Sequence, residues 1–191
     1  MIAAPSPVAV DLVRRAACYA LATLDEVSPA LLTRPTPCGE WDLRMLLVHA
    51  SESVSAIDEG VVGGRVGLYA AGCVDADDPT AGFRASVSQL LADWVRLERC
   101  PYAIEIADHV IVAPALAGVA AVEIAVHGWD ISQASGQRRP IPADLAADLL
   151  AVSEYLVPDT NRHPLFADPV TVSASAGSSE RLLAYLGRAA H

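Results

Sequence analysis

The sequence is short of aromatic side chains. Two phenylalanines, three tryptophans and five tyrosines amount to 5% of 191 residues, against 53% hydrophobic residues overall. The apolar content is therefore mostly Ala, Leu and Val, a mixture that favours closely packed helices over a sandwich rich in aromatic and β-branched residues. Cysteine is scarce as well. Cys18, Cys38, Cys73 and Cys100 lie far apart and form no CxxC pair. That argues against a disulfide framework and removes the spacing of a Cys-based zinc site. Basic residues are outnumbered 13 to 23, for a net charge of −10, and no basic run occurs. Nucleic acid and anionic membrane surfaces would meet repulsion, so neither is expected as a partner. The N-terminus has no basic segment leading into a long apolar one. No apolar run reaches, uninterrupted, the roughly 18 residues of a membrane span. These absences predict a soluble, cytoplasmic protein. The length suits one domain over residues 1–191, as a monomer or homodimer.

What is present is helical periodicity. Val10, Val13, Ala17, Ala20, Leu21 and Leu24 recur near helical spacing and predict a first helix from Val8 to about Val27, ended by Ser28-Pro29. A Pro- and Gly-punctuated loop, TRPTPCGEWD, follows. Asp42 is a suitable N-cap for a second helix to about Glu59, with Leu43, Leu46, Leu47, Ala50, Val54 and Ile57 in one arc. His49 falls about 120° from the centre of that arc, a flank position that can face a crevice between helices. Residues 60–78 read as loop. Pro79 starts a third helix to Glu98, with Phe83, Val87, Leu90, Trp94 and Leu97 as its seam. CPYAIEIADHVIVAP is irregular or briefly extended. A long apolar helix after Pro114 is ended by Gly136, and a fifth helix follows Pro142 and stops before Pro158. An extended tail, NRHPLFADPVTVSAS, leads to a short closing helix, SSERLLAYLGR. The expected fold is all-α: a bundle of four principal helices with a short extended C-terminal tail and closing helix.

The fourth helix carries the chemistry. From Val110 to Gln137 the only charged side chains are Glu123 and Asp130, with His127 between them. At about 100° per residue these three fall within about 60° of one another, flanked on both sides by apolar residues. Their stripe therefore points inward. A buried carboxylate is costly unless it is paired, hydrogen-bonded or bound to a cation. A histidine four residues on satisfies it only when protonated, whereas a divalent metal accepts both the neutral imidazole and the ionised carboxylate. A lone Glu–His pair at this spacing is more often a structural hydrogen bond, and that alternative stands beside the metal. A third ligand must come from another helix, and His49 is the natural candidate. His109 lies in a doubtful strand, His163 in a loop and His191 at the terminus.

PTPCGEWDLRMLLVH, EIAVHGWDISQASG and the ending LFADPVTVSASAGSSERLLAYLGR, in that order, resemble the mycothiol-dependent maleylpyruvate isomerase N-terminal family of the DinB-like superfamily. The resemblance covers almost the whole chain. It implies a DinB-like four-helix bundle holding one divalent metal, commonly zinc, on two histidines and a glutamate that match His49, Glu123 and His127. Val48 stands where the family usually has Asn. The isomerase also carries a C-terminal domain for which 191 residues leave no room, so substrate contacts made there do not carry over. Asp130 is expected to support a ligand histidine, and Arg162 to clamp a substrate or cofactor anion in place of a default role as a solvated loop arginine. Trp41 and Trp129 are expected in the core, and Cys38 as a small buried residue.

Three protein ligands leave a zinc site open for catalysis. The resemblance then implies activation of mycothiol or a similar low-molecular-weight thiol for attack on a small electrophile, giving S-transfer or isomerisation. On this expectation His49, Glu123 and His127 act through the metal. Two alternatives are a hydrolase or isomerase that uses metal-activated water or Lewis acidity without thiol, and a non-catalytic metal- or ligand-binding protein.

Overall fold

Small residues set how closely the helices approach. A Cβ added at Gly128 would come within 2.9 Å of the Cα and Cβ of Ala20. Around that contact Ala16, Ala17, Ala20, Ala120, Ala121 and Ala125 are wholly buried. The alanine-rich composition thus has a geometric outcome, two helices packed nearly backbone to backbone.

The computed structural model describes residues 2–3, 7–39, 41–67, 77–96, 100–101, 103–106, 109–157, 162 and 166–189. Cys73, Leu97, Glu98, Pro158, His163 and His191, named above, lie outside the described residues. The chain forms two compact units, Met1–Arg139 and Pro140–His191.

The first unit runs β1 (Ile2–Ala3), α1 (Pro7–Thr23), α2 (Leu43–Gly63), β2 (Arg65–Val66), α3 (Pro79–Arg96), β3 (Cys100–Pro101), β4 (Ala103–Ile106), β5 (His109–Val112) and α4 (Ala113–Ser135). Its four helices pack as α1 on α4, α4 on α2, α2 on α3 and α3 on α1, closing a bundle. The fold is all-α with a small sheet added. β4 and β5 form an antiparallel hairpin with Ile104 opposite Ile111, and β2 joins β4 in parallel. β1 pairs with β3.

Local signals explain most boundaries. The Asp42 carboxylate accepts a hydrogen bond from the Met45 N–H at 2.9 Å and starts α2, a cap worth about 1 kcal/mol. Gly136, at φ 87°, ends α4 in the left-handed conformation that favours glycine. Two boundaries differ from expectation. α1 gives way to a 3-10 turn at Leu24–Glu26. α2 continues through Gly60, Val61 and Gly63, where a loop was expected. Gly60 is buried against Val66 and Ile104, so packing under the hairpin holds the glycine-rich segment helical. α4 is buried along most of its length, and by length and composition it is also apolar enough to cross a membrane.

The second unit contains α5 (Ala143–Leu156) packed against α6 (Ser178–Tyr185). Residues 166–176 between them have no regular structure beyond a turn, in keeping with the extended tail expected there. The Glu180 carboxylate accepts from the Gly177 N–H and caps α6.

Candidate metal centre

The site lies within the first unit, where α2 crosses α4 below the loop that precedes α2. On α4, Glu123, His127 and Asp130 occupy successive turns, so one helix face delivers three polar side chains. Their exposure falls along that face: the Glu123 side chain is 26% exposed, His127 8% and Asp130 0%. α2 brings His49 from the opposite side, its side chain 40% exposed.

One carboxylate oxygen is the hub. Glu123 Oε1 lies 3.2 Å from His127 Nε2 and 3.6 Å from His49 Nε2. The donor atoms of these three residues all lie within 4.8 Å of one another. Ligands on a tetrahedral zinc with bonds of about 2.0–2.1 Å stand about 3.3 Å apart, so the spacing fits a single divalent ion. On the far side of the imidazole, His127 Nδ1 lies 3.1 Å from Asp130 Oδ2. When Nδ1 donates its hydrogen there, the Nε2 lone pair faces the Glu123 oxygen. Two lone pairs at that distance repel unless a proton or a cation lies between them.

The electrostatics follow from that geometry. Burial acts to raise the Glu123 pKa, but hydrogen bonding and charge from His127, then from His49, outweigh it. The carboxyl is left well below the ordinary carboxylate range. Burial also acts to lower the His127 pKa. Hydrogen bonds with Asp130, Cys38 and Glu123, together with the Glu123 charge, overcome it and hold the imidazole well above its ordinary value. Without metal, a proton therefore takes the cation's place.

Sequence reasoning placed two neighbours elsewhere. Trp41 is only half-buried, and its ring sits 4.5 Å from that of His49 at 56°. It forms a wall of the site, whereas Trp129 is in the core as expected. Cys38 is half-buried, and its thiol lies 3.0 Å from Asp130 Oδ2 and 3.9 Å from His127 Nδ1. Both residues stand in the first signature, but no spacing rule relates Cys38 to a helix 92 positions on. Arg162 is buried in the second unit, where its guanidinium donates to the backbone carbonyls of Val157, Ala167 and Tyr185 and stacks 4.8 Å from the Tyr185 ring centroid. Those contacts commit it to holding backbone, and burial rules out the solvated-loop role.

The model of the mycothiol maleylpyruvate isomerase N-terminal domain matches residues 13–132, well over half of the chain. Two uncharacterized proteins from two strains of Mycobacterium tuberculosis are each 27% identical over 175 residues, covering 87% of this chain and 90% of their own length. No solved structure matches. The matched segment contains His49, Glu123, His127 and Asp130, and the chain belongs to this mycothiol-related family of DinB-like metal-binding bundles.

Proposed function

We propose, from that membership and the geometry of the site, that the chain is a divalent-metal-dependent enzyme. It activates a low-molecular-weight thiol of the mycothiol type for transfer to, or isomerisation of, a small electrophilic metabolite. The observation that carries this reading is the exposure gradient around one three-donor set. His127 is enclosed while His49 and Glu123 reach solvent, so a metal held there has an approachable side. Three protein ligands with a free position are the arrangement of a catalytic zinc site.

His49, Glu123 and His127 would hold the ion, zinc being the natural choice for two imidazoles and a carboxylate. A divalent ion supplies Lewis acidity, which lowers the pKa of a coordinated thiol from its ordinary value of about 8.5. The protein's own groups do the rest. Asp130 keeps His127 in the tautomer that presents Nε2, and Glu123 offsets one positive charge. Trp41 walls one side of His49 and limits the orientations of its ring, while the other side stays open to solvent. The thiolate sulfur adds to one carbon of an activated carbon–carbon double bond, whose π pair moves onto the conjugated electron-withdrawing group. Uptake of a proton by the resulting carbanion keeps the new C–S bond and is transfer. Rotation about the former double bond followed by expulsion of the thiolate re-forms the double bond and is isomerisation. Cytoplasmic location, a monomer or homodimer, and residues 1–191 acting as one domain belong to the same proposal.

Cobalt-substituted protein titrated with mycothiol tests it. A sulfur-to-cobalt charge-transfer band should appear, and turnover of a small electrophile should rise with thiol and saturate. Turnover that needs no thiol, with an unchanged spectrum, would replace this reading by a hydrolase or isomerase working through water or Lewis acidity. No turnover in either case would make the chain a metal- or ligand-binding protein.

A further inference from the structure

A half-buried loop thiol touching a wholly buried carboxylate is not accounted for by three ligands and one supporting aspartate. Asp130 Oδ2 accepts from two sides, from the Cys38 thiol at 3.0 Å and from His127 Nδ1 at 3.1 Å. We infer that Cys38 is a positioning residue for the metal centre. Its S–H pins the Asp130 carboxylate so that the carboxylate holds His127 Nδ1 as a donor and keeps Nε2 directed at Glu123 and His49. This rests on the metal-site reading proposed above.

The loop is built for that task. Thr36 Oγ1 accepts from the Cys38 N–H at 3.1 Å and donates to the Trp41 carbonyl at 2.9 Å. The Trp41 N–H returns to the Cys38 carbonyl at 3.2 Å, and the Thr36 N–H to the Trp41 carbonyl at 3.1 Å. This closed hydrogen-bonded turn fixes Cys38 and Trp41 relative to each other. Cys38 reaches toward His127 through Asp130, while Trp41 lies against His49. One short turn therefore bears on both imidazoles, which come from different helices. The sulfur directs its hydrogen at a carboxylate, the arrangement of a hydrogen-bond donor.

The alternative is that Cys38 only fills space. Cys38→Ala and Cys38→Ser separate the two, because serine keeps a donor and alanine does not. In metal-free protein, the His127 Nδ1 proton should give a slowly exchanging, strongly downfield NMR signal that survives in Cys38→Ser and is lost to rapid exchange in Cys38→Ala. Zinc affinity should fall about tenfold in Cys38→Ala, the lower end for lost partners of a ligand histidine, and recover in Cys38→Ser. Retention of the proton signal in Cys38→Ala overturns the inference whatever the zinc affinity, and so does a Cys38→Ser protein as weak as Cys38→Ala. A wild-type protein that takes up no zinc fails the proposed function instead. The proton signal then decides the role of Cys38 by itself.

Discussion

The two helices that face each other across the site hold their histidines in opposite ways. α4 is buried on nearly every side, and His127 is gripped at both nitrogens, by Glu123 and by Asp130. α2 is amphipathic, and His49 stands at the edge of its apolar arc. There it has the Trp41 ring and a Ser53 hydroxyl at 3.4 Å for company. Low dielectric strengthens the hydrogen bonds around His127 and makes any unpaired group there costly. Near solvent the same groups would matter little. One histidine belongs to the core and the other to the surface, so a metal site built from both would be rigid on one side and approachable on the other.

Removing each histidine in turn is the sharpest test of that asymmetry. His127→Ala leaves Asp130 wholly buried without its imidazole, and should destabilise the metal-free protein by about 3–5 kcal/mol besides abolishing metal uptake. His49→Ala should abolish uptake yet cost the metal-free protein no more than about 1 kcal/mol. Chemical denaturation with parallel metal analysis reads both. Equal destabilisation by the two substitutions would break the comparison.

Asp130→Asn keeps the size of the side chain but weakens its hold on the Nδ1 hydrogen. Metal affinity should drop about 10–100-fold, measured by competition with a chelator. Unchanged affinity would mean that His127 is positioned by packing alone.

Protonation provides the next test. In metal-free protein the raised pKa of His127 means that its stabilising contribution is complete below its ordinary 6.5 and lost as pH rises through the elevated value. The lowered pKa of Glu123 makes its contribution complete above its ordinary 4.5 and lost as pH falls through the depressed value. The pair therefore stabilises most between these two ordinary values. Metal needs the Nε2 lone pair, so its binding must displace a proton. Affinity should climb by about tenfold per pH unit above neutrality for as long as His127 remains protonated. Calorimetry across a pH series gives the slope, and a flat profile would show that no proton is released.

The smallest effect expected lies on α2, away from the site. Asp58 is half-buried, its Oδ1 has no hydrogen-bond partner among the described residues, and burial with Asp93 nearby pushes its pKa up to about 6. Its folded pKa exceeds the ordinary 3.8, so the folded protein binds more protons than the unfolded chain between the two values, and stability falls as pH rises through that window. Asp58→Asn should stabilise the protein near neutral pH by on the order of 1 kcal/mol, after allowing for solvent screening of a half-buried group. It should do little below pH 4, and thermal unfolding at the two pH values measures the difference.

Much of the bundle was legible because its signals are local. Asp42 as a cap, Gly136 as a stop and the apolar arcs of α1 to α5 depend on neighbours within a turn or two. The extra turn of α2 was not legible. Gly60 and Gly63 have poor helix propensity, and the packing of Gly60 against Val66 of β2 and Ile104 of β4 overrode it. The hairpin was legible only as an irregular or briefly extended segment because its residues alternate weakly, with Ile104 alone deeply buried among the described residues of its two strands. Around the site, the stripe of Glu123, His127 and Asp130 was readable from helix geometry. Trp41 was misread as core because the cap beside it fixes the start of α2 but not whether the indole turns inward or lies along the helix against His49.

By itself, the sequence determined an all-helical protein with a polar stripe on its most apolar helix. A repeat of about 3.6 residues is a property of the backbone and needs no partner to be read. It also dictated that the stripe required a proton or a cation, since a carboxylate in apolar surroundings costs free energy wherever the helix lies. Tertiary structure alone decided which outside groups complete it. His49 reaches Glu123 because α2 packs on α4, and Cys38 reaches Asp130 because a turn closed through Thr36 carries it there. Those contacts join residues 74 and 92 positions apart (123 − 49 and 130 − 38). At such separations no local period connects residues, and the burial of side chains between helices sets the distance.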